Sequence, residues 1–296
     1  MKNPLFIGAD PFILYWEGKY YIYPTTQVHG DDGNALADLG YRVYVSEDLE
    51  NWEDKGFALS RDDVMGDNRF WAPEITVRDG KFYMVYTSEE HLGVAVSHSP
   101  LGPFKQEEKK WLSENRAIDG HFFIDDDGQA YLYYVRLGGG NKICVTKMSD
   151  DLMSIDEENE KIIITAEEAW ERVDARVTEG PFVIKHKGLY YLTYSANHTR
   201  SQDYAVGYAV SASPFGPFEK YEGNPILHKN DTIVGVGHHS FAKVGENKWI
   251  CAYHSHFSTN QFRPRVVRLD YAEFSESGDG EKDVLVIHGP TGDPTL

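Results

Sequence analysis

The chain has 296 residues, enough for one large domain or two ordinary ones, and at 41% hydrophobic and 14% aromatic it can fill a substantial core. Its 47 Asp and Glu against 29 Lys and Arg give a formal net charge of -18, which argues against nucleic acid and membrane surfaces as partners. A neutral partner such as a sugar meets no such barrier.

The N-terminal MKNPLFIGADPF lacks the apolar core of a signal peptide, and no run approaches membrane-spanning length. A cytoplasmic protein is therefore expected, or a secreted one whose leader has been removed. From Gly18 onward, short aromatic and β-branched runs broken by Gly, Pro, Asp and Asn predict strands. GKYYIYPTT begins at Gly18, GKFYMVYTS at Gly80, GQAYLYYVR at Gly128, GLYYLTYSA at Gly188 and NKWICAYHS at Asn247. After each comes a further strand-like segment ending in a turn, for example YRVYVSEDLENW and LGVAVSHSPLGPF; the fifth, FRPRVVRLDYAEF, is more degenerate. The clearest helix candidate is the short TAEEAWERV, 165–173. Five copies of a multi-stranded unit predict an all-β, five-bladed β-propeller, a single domain over 1–296. A β-sandwich has the same strand content but leaves the fivefold repeat unexplained.

The residues before each run matter most. Asp10, Glu74, Asp119, Glu179 and His238 each begin a short apolar strand some 6 to 9 residues upstream of the hairpin turn. If that strand is the innermost of its blade, all five groups gather at one end of the channel and form a site. Glu179, in TEGPF, would alone read as a turn residue; fivefold convergence makes it a functional candidate. Crowded, partly desolvated carboxylates repel, so at least one should keep its proton near neutral pH. That is what glycoside hydrolysis needs: one protonated acid and one ionised carboxylate. No dinucleotide fingerprint, P-loop or nucleophile elbow appears, and no organic cofactor is expected.

ADPFIL, FWAPEI, AIDGHFFIDDDGQAYL, TEGPFVIKHKGLYYLTYS and GVGHHSF, in this order along nearly the whole chain, resemble the motifs of glycoside hydrolase family 43. The resemblance implies a five-bladed propeller and an inverting enzyme acting on arabinosyl, xylosyl or, less often, galactosyl linkages of plant polysaccharides. It implies Asp10 as general base, Glu179 as general acid and Asp119 as the residue that orients the acid and tunes its pKa. It also implies one structural calcium ion, mostly hydrated, in the channel beside His238. His239 competes for that role, since strand alternation lets only one of the two face the channel. Trp71 reads as a sugar-stacking platform and Arg265 as a substrate contact, with Arg263 and Arg268 flanking it. Glu74 reads equally as a substrate ligand or as a supporting group.

Other features read as structural. DDDG, ending at Gly128, is a hairpin turn rather than a calcium loop, and the acidic 149–161 is a solvated loop. Cys144 and Cys251 lie in apolar runs and are expected as buried, reduced thiols. His91 and His198 follow strands, where they could border the pocket. The expected activity is exo-acting removal of terminal α-L-arabinofuranosyl or β-D-xylosyl residues from oligosaccharides. The close of the chain soon after the fifth unit tilts the expectation toward arabinofuranosidase. The alternatives are an endo-arabinanase or exo-galactanase of the same family, a retaining propeller glycosidase or fructosyl enzyme, and a non-catalytic carbohydrate-binding propeller. Oligomeric state is not legible in the sequence.

Overall fold

Each aromatic run pairs with the segment before it and the segment after it, and each set becomes one antiparallel sheet. The computed structural model describes residues 2–26, 39–277 and 282–293. Blade one holds β1 (Ala9–Trp16), β2 (Lys19–Thr25), β3 (Gly40–Ser46) and β4 (Glu53–Ser60), in that order. Blade two holds β5 (Trp71–Arg78), β6 (Lys81–Ser88) and β7 (His91–Ser97). Blade three holds β8 (Ala117–Ile124), β9 (Ala130–Arg136), β10 (Lys142–Lys147) and β11 (Lys161–Ile164). Blade four holds β12 (Thr178–His186), β13 (Leu189–Ala196), β14 (Ala205–Ser211) and β15 (Glu219–Lys220). Blade five holds β16 (Gly237–Gly245), β17 (Lys248–Ser255), β18 (Val266–Ser275) and β19 (Val284–Ile287).

The first strands touch in a ring: β1 meets β5, β5 meets β8, β8 meets β12, β12 meets β16, and β16 meets β1. The expected propeller is therefore present, with the first strand of every blade innermost. Tyrosines join neighbouring blades by burying their rings and passing the hydroxyl to a backbone carbonyl across the gap. Tyr133 reaches the Pro214 carbonyl at 2.7 Å, Tyr191 the Asp283 carbonyl at 2.8 Å and Tyr41 the Trp71 carbonyl at 2.9 Å. The ring is also laced at its seam. Residues 5–8 run beside β18, with Leu5 N–H on the Val267 carbonyl and Gly8 N–H on the Arg265 carbonyl. The buried Asn3 side chain grips both backbone groups of Leu269, at 2.7 and 2.8 Å.

One expectation changes. The segment 165–173 is not a helix beyond one 3-10 turn, Ala169–Arg172, because Trp170 is drawn onto Tyr194 and Glu171 is buried against Lys220 and Tyr194. Against the four-stranded blade usual in propellers, blade two has three strands; beyond β7, Lys105 makes an isolated bridge to Val96 and Phe104 one to Leu59 of blade one. DDDG is a hairpin turn, closed by Asp125 N–H on the Gln129 carbonyl, and both cysteines are buried and free.

Candidate active site

All five inner strands carry the same defect at the same place. Between Ala9 and Phe12, Trp71 and Glu74, Ile118 and His121, Glu179 and Phe182, and Gly237 and Ser240, one extra residue interrupts the pairing. These are β-bulges. In each, the first inserted residue has a left-handed backbone: Asp10, Ala72, Asp119, Gly180 and His238, with φ of 46, 44, 57, 56 and 47°. Proline follows in three of the five, where the ladder is already broken and a missing N–H costs little.

The bulge is what builds the site. In a regular strand, consecutive side chains point to opposite faces; here the residue before the bulge and the bulge residue both reach one mouth. A pocket of about 370 Å³ is lined there by Asp10, Trp71, Ile118, Asp119, Glu179, His238 and Arg265, with His198, Arg200 and Arg263 among its other walls. The five polar groups are thus not equivalent in register. Asp10, Asp119 and His238 occupy the left-handed position, Glu179 stands one residue before it and Glu74 two after it. That offset sends Glu74 to a small cavity below the mouth, against His121.

Asp10 is gripped from several sides. Arg265 Nη1 donates to its Oδ1 at 2.9 Å and Thr25 Oγ1 to its Oδ2 at 2.7 Å, while its backbone N–H donates to His254 Nδ1 at 3.1 Å. Burial pushes its pKa up, but the Arg265 charge, His238 and His254 together outweigh burial and hold the carboxyl well below its usual range. Glu179 behaves oppositely. Burial, helped by the charge of Asp10, pushes it up to about 7, against hydrogen bonds from the Tyr204 hydroxyl at 2.9 Å and the Asn141 amide at 3.1 Å. Asp119 is raised well above the carboxylate range by burial and by the charges of Glu179 and Asp10. Its Oδ2 accepts the Gly180 N–H at 3.1 Å, which ties it to the residue next to the acid. Near neutral pH, Asp10 is ionised while Asp119 and Glu179 share at least one proton.

Trp71 and Arg265 both line the pocket, and the three arginines differ in their contacts. Arg265 touches Asp10, Arg263 stands at the rim, and Arg268 is fully buried on Ser255 Oγ at 2.8 Å. Glu74 does not line the mouth. Its carboxylate takes His121 Nδ1 at 2.8 Å and the Phe122 N–H at 2.9 Å, so it supports the ring rather than a ligand. His121 Nε2 in turn accepts the Val183 N–H, which places the imidazole proton on Nδ1. His198 lines the mouth, whereas His91 stacks on Trp111. Thr25, Asn141 and Tyr204 hold the two principal carboxyls, His254 accepts the Asp10 N–H, and none of the four was singled out from the sequence.

The two adjacent histidines are told apart by their contacts. Both residues border the small cavity below the mouth, a space of about 20 Å³ with room for one water-sized body, but their rings go to different partners. The His238 ring lies beside Gly180 with Nδ1 3.5 Å from Asp10 Oδ1, so it serves the carboxylates. Thr193 gives its hydroxyl proton to the Phe182 carbonyl, so His239 Nε2 donates to Thr193, leaving His239 Nδ1 as a buried lone pair without a partner. Among the described residues no three His, Cys, Asp or Glu side chains come together around a metal. Calcium takes six to eight oxygens, and one imidazole nitrogen forms no protein cage, so a calcium ion here would have to be held mostly by water.

Residues 1–279 match the model for glycosyl hydrolases family 43. The chain is 29% identical to a xylosidase/arabinosidase of Bacteroides ovatus, over 95% of each chain, and 28% identical to xylosidase/arabinosidase 43A of Humicola insolens, over 91% of this chain and 94% of that one. A solved structure described as an endo-1,4-beta-xylanase of Bacteroides thetaiotaomicron superposes with a TM-score of 0.87 at 39% identity, covering 98% of this chain and 97% of that one. With a match that begins before the first blade and reaches into the fifth, the chain belongs to glycosyl hydrolase family 43.

Proposed function

We propose that this enzyme is an inverting exo-glycosidase that removes terminal β-D-xylosyl or α-L-arabinofuranosyl residues from plant-derived oligosaccharides. The observation that carries the reading is the split between two carboxyls at one mouth: Asp10 clamped in its ionised form by Arg265, and Glu179 poised near neutrality. Asp10 takes a proton from water, and the water oxygen attacks the anomeric carbon on the face opposite the leaving group. Glu179 gives its proton to the glycosidic oxygen as that bond breaks. Trp71 offers a ring to the apolar C–H face of the sugar, and Asp119 steadies the strand that carries the acid. The names of the two xylosidase/arabinosidase relatives support the pentose class.

The xylanase-named structure favours a second reading, endo cleavage within a xylan chain. Digesting linear xylo-oligosaccharides, arabino-oligosaccharides and aryl xyloside, arabinofuranoside and galactoside distinguishes the two. Single pentoses released from the start support exo action, and mixed internal fragments support endo action. Cleavage of none of these, or of the galactoside alone, would remove the reading.

A further inference from the structure

The bulge residues are latched from blade to blade, and the latch fails once. The amides of four of the five left-handed residues bond to the second strand of the preceding blade. Ala72 N–H donates to Thr25 Oγ1 at 2.8 Å and Asp119 N–H to Thr87 Oγ1 at 3.1 Å. His238 N–H donates to Ser195 Oγ at 2.8 Å, and Asp10 N–H to His254 Nδ1 at 3.1 Å. The acceptor is always the eighth residue of the aromatic run, opposite the pre-bulge residue of its own blade. In blade three that position, opposite Ile118, is Val135, fully buried and without an acceptor. The Gly180 N–H, which the pattern would send there, goes to Asp119 Oδ2 instead.

We infer that Val135 is a positioning residue for the catalytic acid: by offering no acceptor it leaves the Gly180 amide to Asp119, and so fastens that carboxylate to the strand bearing Glu179. A left-handed amide in a buried ring needs a partner, since an unpaired one costs about 1–3 kcal/mol. A hydroxyl at Val135 would compete for it, as hydroxyls do in three other blades. Asp119, losing its amide, would then take the shared proton more readily, and Glu179 would ionise at lower pH. The inference rests on Glu179 being the acid, whereas the latch itself does not.

Val135→Thr adds the hydroxyl at nearly constant shape, and Val135→Ser against Val135→Ala isolates it at smaller size. A crystal structure of Val135→Thr, or of Val135→Ser if the first does not fold, is expected to place the new hydroxyl on the Gly180 N–H with Asp119 released. The alkaline limb of kcat/KM is expected to move to lower pH by roughly one unit in the Thr and Ser variants, and not in Val135→Ala, whatever its loss of thermal stability. Equal limbs in the Ser and Ala variants, or a structure that keeps the Gly180 N–H on Asp119, would overturn the inference. If the wild type cleaves no glycoside, the functional reading falls, and the crystal structure alone decides the latch.

Discussion

Asp10 and Glu179 share one pocket but have opposite electrostatic relations to the fold, and that difference can be measured as stability. The Asp10 pKa is depressed, so its charge stabilises the folded state above the ordinary carboxylate range of about 3.9, and the contribution is lost as pH falls through the folded value. Asp10→Asn should abolish turnover and lower Tm at neutral pH, because Arg265 loses its carboxylate. The Glu179 pKa is raised to about 7, so it favours the fold only while protonated; its contribution is whole below about 4.3 and fades as pH rises through about 7. Glu179→Gln should therefore cost orders of magnitude in turnover yet raise Tm by a few degrees near pH 8, with no gain near pH 4. Its loss of turnover should be smaller on aryl glycosides with good leaving groups, which need little protonation. The Tyr204 hydroxyl stabilises ionised Glu179, so Tyr204→Phe should move the alkaline limb of the pH–rate profile upward. A downward or unchanged limb would show that Tyr204 does not tune the acid.

At the scale of the element, the bulge explains what was legible in the sequence and what was not. Strand runs, blade count and the motifs ADPF, WAPE, IDGH and TEGPF could be read because hydrophobic pattern and turn residues report them directly. The one-residue offset of Glu179 and the two-residue offset of Glu74 could not, since a bulge changes which side chains face the axis without changing composition. Strand alternation, a sound rule for a regular strand, still separates the two histidines, the His238 ring turning to the carboxylates and the His239 ring to Thr193. The latch residues were present in the repeat as its eighth column, Thr, Thr, Val, Ser and His, but a search for aromatic spacing passes over small polar residues. Gly237 shows how closely these elements approach. A Cβ there would lie 2.5 Å from the Tyr204 ring, which stacks at 5.6 Å on the His254 ring beside Asp10. Gly237→Ala should displace Tyr204 and cut kcat on the order of tenfold or more, with a shifted alkaline limb; unchanged kinetics would show that the stacked pair does not space the acid and base.

At the scale of the whole molecule, closure of the ring lets residues 255 positions apart, Asp10 and Arg265, meet as one group. The seam is held by the N-terminal segment, and Asn3→Ala would strip both backbone groups of Leu269 of their partner, at about 1–3 kcal/mol each. Thermal melting should fall by several degrees, while kcat well below the transition stays near wild type, because Asn3 lies outside the pocket. A melting temperature equal to wild type would mean the seam does not limit stability. The central claim, that water activated by Asp10 and a proton from Glu179 act on opposite faces of the sugar, is tested most directly by proton NMR of a fresh digest. The inverted anomer should appear first, with the retained anomer growing in only by mutarotation. Initial release of the retained anomer would require a carboxylate nucleophile and would contradict the account.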